Sequence, residues 1–466
     1  NNPHCSDTAG RTSALNPATP WCSPAGLTEN RGALFQPGDT IYIKSGDYKT
    51  GPCSVTTAGT PDHPIVLRPY PGDRVTIRGA RGACDALISL KRAAYWTIDS
   101  LTMISSTQGR VIEATDANGL MVRNCQLTLG PQRDTVVVHL VNSSNAVIEN
   151  NTFIGIADAL RRHTPTTSDG LLLDNSHHCT IRNCRFADCG HIALNLRNSG
   201  TNVVEKNTIE NRLHTAMAIG NIPGNPGSAS GNIIRANTIR KFNLVPITPK
   251  LPGIGIEILY ASNNLICNNL IYEGGNNSTG IFIGADPGKG RATGNKIYNN
   301  TICWPGGRGI DLANFGAIGT KNGIADNKVF NNIISGITTP AAVDNELSRS
   351  APIAMTFPGF EENLGYGNEI KNNLLSGADS TLVKSRDANC RLKRSYSLES
   401  LSAAGFTRGN ITGDPRFVAP GKDFHLGPSS PARRAGIPLR EVDTDFDGRA
   451  RAPRENDIGA FQSSSP

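Results

Sequence analysis

Two histidines, an aspartate and an arginine occupy matching places in successive segments of the chain. S-D-G-L-L-L-D-N-S begins at Ser168, H-I-A-L-N-L-R-N-S at His191 and H-T-A-M-A-I-G-N at His214, and G-I-G-I-E-I-L-Y continues the series from Gly253. Histidine titrates near neutrality and moves protons readily. Arginine grips a carboxylate with two parallel hydrogen bonds. If the segments stack, His191 and His214 share one outward column, Asp174 and Arg197 a second, and Asn195 and Glu257 a third between them. Tyr260 closes the Glu257 strand with a phenol that can give or take a proton. His139 and Asp311 extend the central column at its two ends. Arg161, Arg162 and His163 flank the series in one loop, and Lys250 in another. The expected set has His214 or His191 as base, Tyr260 as acid and Arg197 as the group that neutralises a carboxylate. Lys250 or Arg162 would assist Arg197, and Asn195 and Glu257 would orient the substrate. Asp174, His163, His139 and Asp311 are further candidate binding residues. Asp174 and Arg197 could equally form a surface ion pair worth under about 1 kcal/mol.

Strands position these residues. Leu171, Leu194, Met217 and Ile256 fall in one column, and Leu173, Leu196, Ile219 and Ile258 in the column two residues on. Side chains alternate faces along a strand, so both columns point to a shared interior. Strict alternation then places Ser168, His191, His214 and Gly253 at the leading edge of the outer face. An asparagine marks each unit: Asn151, Asn207, Asn237, Asn269, Asn300, Asn332 and Asn373, with Cys125 and Cys184 in the same slot. The spacings are 26, 33, 23, 30, 32, 31, 32 and 41 residues. Asparagine tolerates left-handed backbone and bonds its own turn, so stacked units would align these amides in a ladder. Short strands at this period indicate an all-β solenoid, a parallel β-helix that buries its core only by stacking coils. Most spacings are shorter than a propeller blade of roughly 40–50 residues.

Composition agrees with a turn-rich β protein. The 466 residues include 49 Gly and 29 Pro, with 38% hydrophobic residues. No apolar run is long enough to cross a bilayer as a helix. The formal charge of +7 is mild, and no Lys/Arg block points to nucleic acid. An anionic polysaccharide is the partner such a surface suits, with the protein as a monomer. Eleven cysteines favour an oxidising, secreted or periplasmic setting. Cys5–Cys22 and Cys53–Cys84 are plausible local bridges. The chain starts at Asn1 and reads as a mature or trimmed form. D-T-D-F-D-G from Asp443 looks like a calcium loop, but Arg454 stands where such a loop needs Glu. Ca2+ is therefore the one candidate cofactor, without an assigned ligand set.

The repeat over roughly residues 38–380 resembles the right-handed parallel β-helix of the pectate-lyase-like superfamily. Its opening resembles the alginate lyase and chondroitinase B family: G-D-T-I-Y-I-K-S-G-D-Y, then G-T-P-D-H-P-I-V-L-R-P-Y-P-G-D-R-V-T-I-R-G. That family's central catalytic motif is absent, so its residues are not carried over. The tail, D-P-R-F-V through D-F-H-L-G-P-S-S-P-A-R-R-A-G to D-I-G-A-F, resembles the end of many secreted bacterial β-helix proteins. The expected organisation is an N-terminal cap at 1–37, a single-domain right-handed β-helix of ten or more coils at 38–380, and C-terminal coils with a cap at 381–466. Loops at 157–167, 241–252, 221–230, 284–294 and 313–326 would wall a groove along the sheet of first strands. The resemblance implies the fold; the chemistry rests on the candidate residues, and the expected function is a secreted polysaccharide lyase that cleaves a uronate-containing polymer by β-elimination. Three alternatives stand beside it: an inverting glycoside hydrolase using Glu257 and Asp311, a uronate C5-epimerase, and a non-catalytic adhesin. The hydrolase is the runner-up.

Overall fold

The structure is a computed structural model. It describes the chain apart from residues 1, 29–33, 81–85, 106–108, 131–134, 156–167, 223–227, 246–252, 287–288, 315–322, 338–350, 357–363, 378–382, 387–391, 398, 401–406, 452 and 464–466. Two compact units are formed by residues 1–202 and 203–466.

Each coil contributes one strand to each of three sheets. In the first unit one coil runs Asp169–Asp174 in sheet 1, Thr180–Arg182 in sheet 2 and Arg185–Ala187 in sheet 3. In the second, Ile254–Leu259, Leu265–Cys267 and Leu270–Tyr272 repeat the pattern. Among the described residues every sheet is parallel within the first unit, and in the second two strand pairings are antiparallel: the final one of sheet 1, Val383–Arg386 with Leu392–Tyr396, and the separate hairpin Phe417–Ala419 with Asp423–Leu426. Chain segments of three to six residues with alternating apolar side chains suit such strands, because coil stacking satisfies their backbone groups.

The inner columns set the register. Ile88, Ile112, Val138, Leu171 and Leu194 pair in succession in the first unit. Met217, Ile256, Ile281, Ile310 and Ile353 do so in the second. All ten are buried, and each such side chain contributes about 1.5–3 kcal/mol over an exposed one.

The asparagine ladder exists in the second unit. The backbone N–H and side-chain amide of Asn207 both donate to the Asn237 carbonyl oxygen, each at 3.0 Å. The pattern repeats through Asn269, Asn300, Asn332, Asn373 and Asn410. The left-handed residue is the one before each ladder member, as at Asn268, Asn299, Asn331 and Asn372, with φ of 53°, 52°, 56° and 51°. In an N-N pair the first residue makes the bend and the second makes the ladder. A parallel ladder joins Asn232, Asn264, Asn295, Asn327 and Asn368 at another corner. In the first unit Asn151 accepts from Cys125 N–H at 2.9 Å, and serines take over a corner, Ser143 N–H donating to Ser176 and Ser176 N–H to Ser199.

The ends are handled differently. A Cys5–Cys22 disulfide ties the N-terminal segment, and Trp21, Phe35 and Trp96 pack edge to face at 5.9 and 5.4 Å. Cys84, the expected partner of Cys53, lies outside the described residues. Residues from Phe417 to Phe461 fold back along the coils. Phe417, Phe424, Ile458 and Phe461 cover Leu270, Tyr272, Cys303, Ile333 and Leu374 on the outside of sheet 3. Val442, Ile437 and Leu439 cover Cys267, Tyr298 and Phe330 on sheet 2. The tail is thus a lateral brace rather than a plug over the last coil. Buried Arg451 fastens it, donating to Asn268 Oδ1 at 2.7 Å and to the Gly459 carbonyl at 2.8 Å. Asp445 in the D-T-D-F-D-G segment accepts from the N–H groups of Arg449 and Gln462. Its carboxylate therefore serves a turn of the brace. Among the described residues no helix is long and apolar enough to cross a membrane.

Candidate functional site

The outer face of sheet 1 in the first unit carries the densest group of charged and titratable side chains. Its central column runs Ser89, Glu113, His139, Leu172 and Asn195. The trailing column runs Lys91, Thr115, Val141, Asp174 and Arg197. The leading column differs from the one alternation predicts. Ser168 is fully buried, and Asp169, one residue later, faces Asn195 on the outer face.

Positions 170 and 171 both face inward, as do Val111 with Ile112, Val137 with Val138 and Ala193 with Leu194 in neighbouring coils. At Gly170 the space is tightest: a Cβ there would sit 2.8 Å from the sulfur of buried Cys189 and 2.3 Å from the Ala193 carbonyl oxygen. Residues three apart, 169 and 172, then share the outer face. The same spacing lets Arg110 donate to Glu113 at 3.1 Å in this unit and Arg308 to Asp311 at 2.8 Å in the other.

Asp169 is 6% exposed. It accepts from Ile192 N–H at 3.1 Å and from the Asn195 amide at 2.9 Å. Nδ1 of His191 stands 3.5 Å from its Oδ1, and the His191 side chain is 44% exposed. Arg197 donates to Asp174 at 2.6 Å.

The charges of Arg110, one coil before it, and Arg197, two coils after it, both act on His139. Both its ring nitrogens are buried without hydrogen-bond partners, as are Nε of Arg110 and Nε of Arg197. Burial, then the charge of Arg110, pushes the His139 pKa down to about 4; Arg197 adds to the shift while Asp174 and Asp169 oppose it. The imidazole is neutral at neutral pH.

The second unit holds the other candidates. His214 is buried at 8% exposure, with Nδ1 3.1 Å from the Thr215 hydroxyl, so it does not form the solvent-facing histidine expected of an exposed column. Glu257 is half-buried and pairs in register with Phe282, which pairs with Asp311. The Asp311 side chain is 6% exposed and bound to Arg308. Tyr260 has left-handed backbone, φ 55°. Burial raises its phenol pKa, with Lys289 opposing and the carboxylates of Asp286 and Glu257 adding. Arg161, Arg162, His163 and Lys250 lie outside the described residues, as do all of loop 157–167 and parts of the other four loops expected to wall a groove. Among the described residues no group of three or more His, Cys, Asp or Glu is arranged to hold a metal ion.

The sequence matches the family described as right handed beta helix region over residues 73–212 and 169–351, more than half of the chain. The protein belongs to the right-handed β-helix family. Its expected architecture, coils and handedness are borne out. The structure of XylC in complex with xylose aligns with this β-helix protein at a TM-score of 0.57 and 10% identity, over 98% of this chain and 97% of that one. The A-module of the mannuronan C-5 epimerase AlgE6 from Azotobacter vinelandii aligns at 0.52 and 13% identity, over 81% and 91%. Likeness at these identities is likeness of fold. No curated protein matches the sequence.

Two residues of the β-helix site escape strict alternation: Asp169 and Arg110. The signal that finds them is a charged residue three positions before an outward one, with an inward pair between. Asp169 has the added mark of the glycine after it.

Proposed function

We propose that the protein cleaves a uronate-containing polysaccharide by β-elimination on the outer face of sheet 1 in its first unit. The observation that carries this reading is the neutral His139 between Arg110 and Arg197, with four nitrogens of the three side chains lacking partners. Buried polar groups without partners are costly, so a site that holds several together suits a ligand that supplies them. A carboxylate would. Neutralising it makes the adjacent C5 proton acidic. His139 takes that proton, the C5–H electrons form the C4–C5 double bond, and the C4–O bond breaks. The leaving oxygen takes a proton from His191, which the Asp169 carboxylate holds in place. A bound carboxylate also raises the His139 pKa by adding a negative charge beside it, so the substrate improves its own base.

The hydrolase alternative suits the structure less well. Asp311 is engaged with Arg308 in a buried ion pair, leaving Glu257 without an accessible second carboxylate two coils away. The Cys5–Cys22 bridge supports a secreted or periplasmic setting, because disulfides persist in oxidising compartments.

The test is incubation with a panel of uronate polymers while following ultraviolet absorbance of the unsaturated product. Growth of the signal with wild type and its loss in His139→Ala is expected. New reducing ends without unsaturation, or C5 inversion without cleavage, would overturn the lyase reading. NMR titration of His139 should show its pKa rising from about 4 when a non-cleavable oligouronate is added.

A further inference from the structure

The second unit contains a polar cleft of about 310 Å³ lined by Arg291, Thr293, Ala325, Asp326 and Tyr366. Its floor is a two-stranded sheet, Ala292–Thr293 beside Ile324–Ala325. One wall is the short 3-10 turn Leu364–Gly367. The turn is anchored by Asp326 N–H, which donates to the Tyr366 carbonyl at 3.1 Å.

Two features mark the cleft as built. Asp326 has left-handed backbone, φ 56°, and Gly367, φ 75°, lies against it. A Cβ on residue 367 would fall 2.2 Å from Asp326 Oδ1. Glycine there leaves the carboxylate its place beside Tyr366. The second feature is electrostatic. Arg291 and Asp326 line the same small cleft, yet among the described residues neither is in an ion pair. Elsewhere in this unit opposite charges on neighbouring coils do pair, as Arg235 with Glu205 and Arg240 with Glu210.

The geometry points to a subsite for one hexuronate residue in this cleft. A volume of about 310 Å³ is at the lower end of small-molecule sites, roughly 300–1,000 Å³. It is large enough for a single sugar ring. The lining then matches the functional groups of a uronate one by one. Arg291 binds the carboxylate as a planar fork. Asp326 accepts from ring hydroxyls. Tyr366 offers a flat aromatic surface to the C–H face of the pyranose, and its hydroxyl a polar end. The Thr293 hydroxyl, 3.2 Å from that of Ser262, adds a further polar contact. A neutral hexose would leave Arg291 unanswered, and a simple carboxylate would leave Asp326 and Tyr366 unused. The assignment requires no part of the chemistry proposed for the first unit.

The experiment uses the full chain carrying Arg110→Ala and Arg197→Ala, so that the sheet 1 face of the first unit no longer competes for the probe. Glucuronate is titrated into it by NMR, with glucose as the matched neutral sugar. Saturable glucuronate binding at least tenfold tighter than glucose is expected. Adding Arg291→Ala should remove that preference and leave the weak glucose response unchanged. Tyr366→Ala should weaken both sugars tenfold or more. Thermal melting checks that each variant is folded, and Tyr366→Phe, which keeps the ring, should retain most of the affinity. Equal affinity for glucuronate and glucose, or undiminished glucuronate binding in a folded Arg291→Ala variant, would overturn the assignment. Loss of polymer cleavage has no bearing on it, so failure here and failure of the lyase reading remain distinguishable.

Discussion

The same outward column of sheet 2 reads differently in the two units. In the first it runs Asp99, Arg123, Glu149, Arg182, a ladder of alternating charge. Arg182 donates to Glu149 at 2.6 Å and Arg123 to Asp99 at 3.1 Å. In the second it begins with the Glu205–Arg235 pair and then turns to Cys267, Tyr298 and Phe330. Those three coils are the ones under Val442, Ile437 and Leu439 of the C-terminal brace. An outward column therefore records what lies over it: paired charges under water, apolar side chains under protein. The sheet 1 face of the first unit differs from both. Its arginines are paired, Arg197 with Asp174 and Arg110 with Glu113, yet both ring nitrogens of His139 are buried near them without hydrogen-bond partners. On the function proposed above, that is the place a ligand fills.

The largest effect that tests this division is catalytic. If the sheet 1 face were another solvent ladder, His139→Ala and Arg197→Lys would leave activity on a uronate polymer unchanged. As a proton-transfer group, His139 should be worth about 10²–10⁴-fold in kcat. Arg197→Lys keeps the charge but loses the fork, and should cost a similar share if the guanidinium grips a carboxylate. Normal thermal melting of both variants would locate the loss in chemistry rather than folding.

Next in size is a pair of truncations in the contrasted column. Phe330→Ala opens a cavity beneath the brace and should lower stability by about 3–5 kcal/mol. Arg182→Ala removes the exposed half of the Arg182–Glu149 pair and should change it by about 1 kcal/mol or less. Urea denaturation measures both. Equal costs would mean that the brace does not protect the Phe330 column.

A smaller effect is expected inside the second unit. The Asn300 side-chain amide donates to the Ile266 carbonyl at 2.9 Å and to Asn332 Oδ1 at 3.0 Å, and its own oxygen accepts from Asn269. Asn300→Ala leaves buried backbone groups unsatisfied, at about 1–3 kcal/mol. Asn300→Ser should recover part of that, since Ser143, Ser176 and Ser199 play a similar part in the first unit.

These residues also show how far the sequence could be read. The inner columns were legible because alternation and coil period both point to Leu171, Leu194, Met217 and Ile256, and burial forces one register. The Asn207-to-Asn373 ladder was legible for the same reason. The Asn232-to-Asn368 ladder was overlooked because it marks a second corner of the same coils. Asp169 is not legible, because strict alternation does not allow for two successive inward residues between it and Leu172. The burial of Cys267, Tyr298 and Phe330 is not legible from the repeat, because their cover comes from a segment more than a hundred residues away in sequence. The buried state of His214 depends on neighbouring coils that a single strand pattern does not describe.

The smallest effect concerns the brace itself. His425 sits between two carboxylates from separate segments: Nδ1 is 2.6 Å from Asp423 Oδ1 and Nε2 is 2.8 Å from Asp447 Oδ2. Its ring lies 4.4 Å from that of Phe461, and Arg449 also reaches Asp447, at 3.3 Å. Burial works to lower the His425 pKa, but the bonds and charges of Asp447 and Asp423 outweigh it and raise the value above the usual 6.5. Backbone and side-chain bonds to His425 lower the Asp423 pKa below the usual 3.8. A raised histidine pKa means that the folded state holds the proton more tightly than the unfolded chain. Its stabilisation is therefore complete below pH 6.5 and is lost as pH rises through the folded value. The Asp423 contribution is present above 3.8 and lost as pH falls through its own lowered value. The clamp is strongest between these limits. Both partners are partly exposed, so its strength should be about 1 kcal/mol or less. His425→Gln should lower the urea midpoint slightly at pH 5 and leave it near wild type at pH well above the raised histidine value. If wild type and His425→Gln instead differ by the same amount at both ends, the contact is packing against Phe461 and carries no charge. In that case the contrast between paired-charge surfaces and protein-covered ones would extend into the brace, with His425 counted among the covering side chains.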